Sequence, residues 1–426
     1  MGTALIIIGL ILLTFFGSPL FAIIGAFALL AFASLGTDPA AVIIEMYKIS
    51  SMPTLIAIPL FTFAGYLLAE SKSPKRLVDL AHALFGWMPS GLAIVVLITC
   101  AFFTAFTGAS GVTIVALGGL LFPILLRDNY AERFSLGLVT TSGSLGLLFP
   151  PSLPIILYAL ISEESVDKLF VAGIVPGILM IVILSAYSIF AGARTHVPRI
   201  PFQYANVVRA VRGAVWEIPL PFIIIGGIYS GFMTATEAAA VTAFYVFIVE
   251  VFIYRDLRLT ADVPRVMKES MILVGAILAI LGTALGLTNY FIDEQIPQKL
   301  FAFVQERVDS RVTFLIILNI FLLLVGMMMD IFSAIIVVVP LILPIAREFG
   351  VDPIHLGIIF LANLEIGYLT PPVGLNLFLS SLRFEKPILK IARSVLVFIG
   401  LLLIALLLIT YIPELSLWLI DVLGTK

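Results

Sequence analysis

Charge is scarce in this chain. Only 12% of its 426 residues are Asp, Glu, Lys or Arg, about half the share usual in soluble domains. The first charged residue is Asp38, and long stretches hold neither charge nor histidine: Ala83 to Leu126, Phe134 to Ser162, Leu169 to Ala193 and Ser394 to Pro413. With 61% of residues hydrophobic, soluble enzymes, nucleic-acid binders and disordered chains are excluded. The single Cys100 lies in an apolar run, which excludes a disulfide framework or a Cys-rich metal site and reads as a small buried hydrophobe. A net charge of −2 offers no basic surface to a polyanion. There is no Walker loop, no Asp-rich diphosphate motif and no haem ligand pair, so this chain alone is no ATP-driven pump. No basic leader and no cleavage-like site mark the N-terminus, so Ala4 to Ala33 reads as permanent membrane helix.

What is present is length of apolar sequence. A hydrocarbon core about 30 Å thick takes about 20 helical residues to cross, whereas barrel strands would read as ~10-residue alternating segments. The fold class is therefore an all-α polytopic membrane protein. Ala4–Ala33 is too long for one span and breaks at Gly17, Ser18 and Pro19. Further spans are Pro53–Ala69, Gly91–Phe106, Phe134–Phe149, Leu169–Ala193, Ile218–Ser230, Ala235–Tyr254, Ser270–Tyr290, Val312–Met328, Ile354–Leu369 and Ser394–Pro413, about 11 crossings in all. Ser71–Trp87 alternates Lys72, Lys75, Arg76, Asp79 and His82 with Leu77, Val78, Leu80 and Leu84, the mark of an interfacial helix. Arg194–Arg212 reads as a membrane-surface loop, on the same side as Arg255–Lys268 and, by the positive-inside rule, cytoplasmic. Ser110–Leu126 and Ser333–Arg347 are short, start with small polar residues and end near Pro and Arg. They read as two re-entrant helical hairpins.

The halves repeat. Pro123 and Pro344, Gly146 and Gly367, Leu148 and Leu369, Pro150 and Pro371, and Pro151 and Pro372 are each 221 residues apart. Ser73–Phe85 has a counterpart at Ile296–Val308. The order of elements agrees: surface helix, span, hairpin, then a span broken at Pro-Pro. An inverted repeat is expected, as in secondary transporters.

Proline cannot continue a helix, because it lacks the N–H and crowds the carbonyl four residues earlier. Pro150-Pro151 and Pro371-Pro372 are thus expected to strip donors from the carbonyls near residues 146, 147, 367 and 368. Unpaired, such groups cost several kcal/mol each in lipid; carbonyls beside hydroxyls suit Na⁺. Thr140, Thr141, Ser142, Ser144, Ser152 and Thr370 supply hydroxyls, and Asn363 and Asn376 supply amides. The hairpin tips, Thr107–Thr113 and Met328–Ser333, would turn helix N-termini toward an anion. The plainer reading is that intramembrane Ser and Thr bond their own helix carbonyls. Asp330 and Glu365 stand in apolar sequence, where carboxylates are costly and functional by default, although Glu365 also suits an interface ion pair. Glu237 with Thr234 or Thr236 reads as a helix cap. Gly108-Ala109-Ser110-Gly111 fits the pattern of an intramembrane serine protease, but its base would have to be His82, His196 or His355, none at mid-membrane depth.

Taken together, the stretches 52–68, 144–160, 236–241, 326–345 and 367–378 resemble the large membrane subunit of the tripartite ATP-independent periplasmic (TRAP) transporters, over essentially the whole chain. The resemblance implies a bacterial inner-membrane protein that works with a small four-helix membrane subunit and a periplasmic substrate-binding protein. It implies a sodium-driven elevator: scaffold helices and a first arm in 1–90, one transport half in 91–193 (hairpin 107–126, broken helix 134–160), scaffold and second arm in 194–311, the other half in 312–382 (hairpin 328–347, broken helix 354–382), and a C-terminal helix in 383–426. At least two Na⁺ sites follow from it, one of Gly108, Ser110, Ser144, Gly146 and Pro150, the other of Asp330, Gly367, Thr370 and Val373. Substrate would touch Ser110, Ser152, Asp330 and Asn376. No Arg is near these tips in sequence, so an organic acid would be held by dipoles, amides, hydroxyls and Na⁺. The family handles C4-dicarboxylates, sialic acid and other organic acids; Asp330 beside the substrate favours a polyol-bearing acid such as sialic acid. A binding-protein-independent Na⁺/dicarboxylate or citrate symporter is the alternative, with a channel, an antiporter or a Ser110 hydrolase behind it.

Overall fold

The computed structural model describes residues 18–34, 36, 38–49, 52–195, 201–306, 308 and 310–423. The expected break at Gly17 and the segment before it lie outside the described residues, as does His196. Among the described residues every regular element is helical.

The first group of helices starts with α1 (Leu20–Ser34) and α2 (Ala40–Ile49), then α3 (Ala57–Glu70) and the surface arm α4 (Ser73–Phe85). Next come α5 (Gly91–Thr107), α6 (Ser110–Arg127), α7 (Glu132–Ser142) and α8 (Leu153–Ser162). A tight turn at Leu145–Leu148 separates α7 from α8, and the two halves of this broken span are bent by 43°. The long α9 (Val166–Thr195) closes the first half.

The second half holds α10 (Tyr204–Gly213), α11 (Pro219–Tyr229), α12 (Ala235–Ile248), α13 (Asp262–Asp293), the second arm α14 (Ile296–Gln305), α15 (Arg311–Met328) and α16 (Ile331–Glu348). It ends with α17 (Pro353–Gly367), α18 (Leu375–Phe384), α19 (Ile388–Tyr411) and α20 (Glu414–Leu423). Local signals set several starts. Thr234 and Glu237 form a reciprocal capping box on α12, as expected for Glu237. Asp352 caps α17 with Pro353 in its first turn, and Ser310 caps α15.

Among the described residues eight helices are long and apolar enough to cross a membrane, nine if the bent pair counts as one, beside four shorter apolar helices of 10–17 residues. Three expectations change. The Arg-rich segment is no mere loop, since α10 takes up its second half from Tyr204. The C-terminal part is two helices, α19 and α20. Ser110–Leu126 and Ser333–Arg347 are not hairpins in themselves; each lies within one 18-residue helix. The reversal falls between α5 and α6. Thr104 and Thr113 touch through their hydroxyls at 2.6 Å, although nine residues of straight helix would separate them by about 13 Å.

The helices sort by partner. α1, α2 and α3 pack on α13, and α12 packs on α3. α5 packs on the Leu145–Leu148 turn, α7 on α19, α8 on α16 and α15 on α17. The repeat is carried into three dimensions with the same 221-residue spacing. α5 and α15 end at Thr107 and Met328, α6 and α16 run over Ser110–Arg127 and Ile331–Glu348, and α7 and α17 begin at Glu132 and Pro353.

Candidate functional site

The site is built where the two tips meet the two broken helices. Gly108 ends α5 with φ +64 and donates its N–H to Thr104. A side chain there would be strained, and a Cβ would also strike Leu153 at 2.4 Å. The first break presses on α5 so closely that a Cβ on Gly146 would lie 2.2 Å from the Ala101 carbonyl and 2.5 Å from the Ala105 N–H. The second half repeats the crossing: a Cβ on Gly367 would lie 2.5 Å from Gly326, and Gly326 is the repeat equivalent of Ala105. In each half a glycine lets two backbones touch.

Ser110 opens α6. Its Oγ donates to Asn376 Oδ1 on α18 at 2.8 Å, and both residues are buried. Asn376 Nδ2 reaches the Thr140 carbonyl at 3.5 Å, and Thr140 Oγ1 donates to Ser380 Oγ at 2.9 Å. Thr104 Oγ1 also donates to the Gly143 carbonyl at 2.8 Å. The first tip, the first broken helix and the second broken helix thus form one polar cluster. Ser142 donates to a carbonyl of its own helix, Val139, and Ser144 and Thr370 to last-turn carbonyls of the helices they follow, Thr141 and Ile366, the plainer reading for intramembrane hydroxyls.

The second tip is different. Asp330 is the N-cap of α16: its Oδ1 accepts from the Phe332 and Ser333 N–H groups at 3.0 Å each, and its Oδ2 from the Ser333 hydroxyl. The Ile331 N–H donates to the Tyr368 hydroxyl at 2.6 Å. Ala109, the equivalent cap of α6, supplies no side-chain bond.

The carbonyls at the breaks are less bare than Pro-Pro alone implies. Gly146 O accepts from Phe149 N, Gly367 O from Thr370 N and Tyr368 O from Asn376 N. Tight turns replace the lost helical donors, while each oxygen keeps a second lone pair. Unsatisfied hydroxyls lie beside the first break: Ser152 Oγ and Thr141 Oγ1 are buried without a partner. Pro150, Pro151 and Ser152 are buried, whereas Pro371, Pro372 and Val373 are exposed, so Val373 is open on one side.

Other polar residues serve elsewhere. Asn363 Nδ2 donates to Asn319 Oδ1 at 2.7 Å, and Asn319 donates to Thr410 at 3.2 Å, a bridge across α15, α17 and α19. Glu365 is fully buried, and neither carboxyl oxygen has a partner, so the ion-pair reading is not what the structure shows. Ser110 faces an amide, not an imidazole, and His355 is held by Ser416 and the Thr410 carbonyl. Arg383 lies against α6, where a Cβ on Gly119 would meet its guanidinium at 1.7 Å. An Arg therefore packs on the helix of the first tip, about 13 Å along it from Ser110.

Thr113 lies in the expected first tip, whereas Thr104, Ser380, Tyr368 and Gly326 are not among the expected site residues. For Gly326 a signal exists in its spacing from Ala105. For Ser380 a signal exists in its place one turn after Asn376 on α18. For Thr104 there is none, since a helix apolar all round shows no face to read.

The crossing of paired tips and broken helices defines a polytopic membrane carrier. Its fold is similar to the YdaH transporter of Alcanivorax borkumensis, with a TM-score of 0.62 at 13% identity, over 87% of this chain and 86% of that one. Residues 7–415 match the family described as "Tripartite ATP-independent periplasmic transporter, DctM component". The chain is 40% identical to the C4-dicarboxylate TRAP transporter large permease protein DctM of Pseudomonas aeruginosa, over 89% of each chain. It is 34% identical to the isethionate TRAP transporter permease protein DctMQ of Oleidesulfovibrio alaskensis, over 94% of this chain and 64% of that one. It is 32% identical to an ectoine/5-hydroxyectoine TRAP large permease of Ruegeria pomeroyi, over 88% and 87%. The chain belongs to the DctM family of TRAP transporter large permeases, and is a multi-pass protein of the bacterial inner membrane.

Proposed function

We propose that this chain is the translocation subunit of a sodium-coupled importer of organic acids, C4-dicarboxylates foremost. It works with a small membrane subunit and a substrate-binding protein and moves its two tips as an elevator. The observation that carries the reading is the Ser110–Asn376 bond. It joins the uncapped start of α6 to α18, so an anion arriving there meets free helix N–H groups, a hydroxyl and an amide at once. Asp330 already satisfies the start of α16, which removes that end as an anion site and removes the reason to prefer a polyol-bearing acid. The names of the relatives from Pseudomonas aeruginosa and Oleidesulfovibrio alaskensis support small anionic substrates.

Sodium enters as co-transported cargo. The partnerless Ser152 and Thr141 hydroxyls fit a hard cation beside Gly108, Ser110, Ser144, Gly146 and Pro150. At the second break, Asp330 retains lone pairs beyond its three bonds and would act with Gly367, Thr370 and Val373.

The test is uptake into proteoliposomes holding the chain with its small subunit. Labelled succinate and sialic acid are each supplied with and without an inward Na⁺ gradient and the binding protein. Succinate uptake that needs both, and that falls at least tenfold in Ser110→Ala, bears the proposal out. Uptake without the binding protein means a self-sufficient symporter, and ion flux without solute means a channel; either overturns it.

A further inference from the structure

Away from the tips, the first arm carries a second concentration of charge. Arg76 on α4 is held by three carboxylates, Glu217, Glu250 and Asp256, and lies 3.8 Å from the Tyr254 ring centre. Burial works against its charge, but the bond to Asp256 and the proximity of Glu250 and Glu217 leave its pKa raised above the ordinary value. Above this cluster, α4 and α10 enclose a cavity of about 450 Å³, lined among others by Arg76, Asp79, His82, Trp87, Phe202 and Arg209.

We propose that this cavity binds the headgroup of an anionic phospholipid. Arg76 is already fully engaged and forms the floor. The His82 and Arg209 side chains line the cavity, and neither has a hydrogen bond or ion pair among the described residues. α10 carries Arg209 and Arg212, has no acidic residue and buries no side chain completely, the pattern of a helix lying on an anionic membrane surface. The guanidinium fork of Arg209 matches a phosphate, and Asp79 accepts hydroxyl donors of a glycerol headgroup. Trp87 and Phe202 meet edge to face at 6.3 Å, both about half exposed, as aromatic rings do at headgroup depth.

The acyl chain has a place as well. On the opposite face of α4 an apolar cleft of about 200 Å³ is lined by Leu80, Leu84, Phe85, Phe102, Pro221 and Phe222. Glu217 borders that cleft and is bonded to Arg76, which borders the cavity. Polar and apolar compartments are therefore separated by one ion pair and one helix, so one lipid would place its headgroup in the first and an acyl chain against the second.

Native mass spectrometry of the detergent-purified full chain, alone and with its small subunit, provides the test, with phosphatidylglycerol, phosphatidylethanolamine and phosphatidylcholine added in turn. Phosphatidylglycerol should be retained in both preparations. Its apparent affinity should fall at least tenfold in the double variant Arg209→Gln, Arg212→Gln and clearly in Trp87→Ala, with Lys268→Gln, exposed on α13, unchanged. Equal binding by the double variant, or by either zwitterionic lipid, overturns the proposal. So does displacement by millimolar inorganic phosphate, which would mean a site for the free ion. Loss of the lipid when the small subunit is present would make the surface a protein interface instead.

Discussion

The two tips hold equivalent places in the repeat yet end in opposite chemistry. At α6 the capping position is Ala109, so the helix start is left to Ser110, whose hydroxyl reaches across to Asn376. At α16 it is Asp330, which consumes the helix start internally with three donors. The arms differ in the same way. α4 is bound to the rest of the protein by the Arg76 cluster, whereas near α14 there is an exposed Lys299–Glu294 pair. A common backbone plan thus supplies one firmly anchored half whose tip helix has no side-chain cap and one half whose tip helix is capped by Asp330. Asymmetry of side chains, laid on symmetry of backbone, separates the tasks of the halves.

The arms give the largest expected contrast. Arg76→Ala leaves buried Glu250 without a partner and buried Glu217 with only the Tyr254 hydroxyl, while Asp256 keeps Lys72; it should cost about 3–5 kcal/mol of stability, read as a large loss of folded protein in a thermal melt. Lys299→Ala should cost less than about 1 kcal/mol. Equal losses would break the comparison. The two glycine crossings come next: Gly146→Ala and Gly367→Ala should each destabilise by about 1–3 kcal/mol, because the new Cβ meets backbone at 2.2–2.5 Å. If only one does so, the crossings are not equivalent. Exchanging the tips sharpens the matter further. Ala109→Asp gives α6 the cap of α16 and should reduce succinate uptake at least tenfold, a change of about 1.4 kcal/mol, with the melting temperature no lower than that of the unaltered chain. Unchanged uptake would mean that the start of α6 does not hold the anion. The smallest effect is at Asp330. Asp330→Asn keeps the cap and should stay near the original stability, whereas Asp330→Ala loses about 1 kcal/mol. A raised Na⁺ requirement in Asp330→Asn, measured as uptake against Na⁺ concentration, separates a cation ligand from a mere cap.

Much of this plan is legible in the sequence, because its punctuation is chemical. Pro150-Pro151 and Pro371-Pro372 mark the breaks, Gly108 and Ser110 mark a tip, and the constant spacing marks the repeat. The partition of the hairpins is not legible. Gly91–Phe106 reads equally well as a full span or as the first limb of a hairpin, since both are uniformly apolar. The Arg76 cluster is hidden for another reason: its partners are 141 to 180 residues away in the chain, and no local pattern records such distances. Asp330 is visible as an intramembrane carboxylate, but its capping bonds depend on where α16 begins.

The repeat has one discontinuity. The spacing is 221 through Pro151 and Pro372. Immediately afterwards it becomes 222: Ser152 and Gly374 both precede the next helix, and Glu163 and Glu385 both end it with left-handed backbone. The second half has one more residue than the first between its Pro-Pro pair and the next helix. Gly374, at φ +51, absorbs the extra residue and donates its N–H back to Met327, while Pro371 to Val373 are left outside the packed interior. The helices of the two halves keep matching bounds on either side of the extra residue, because it falls where no helix has to turn by 100° to accept it.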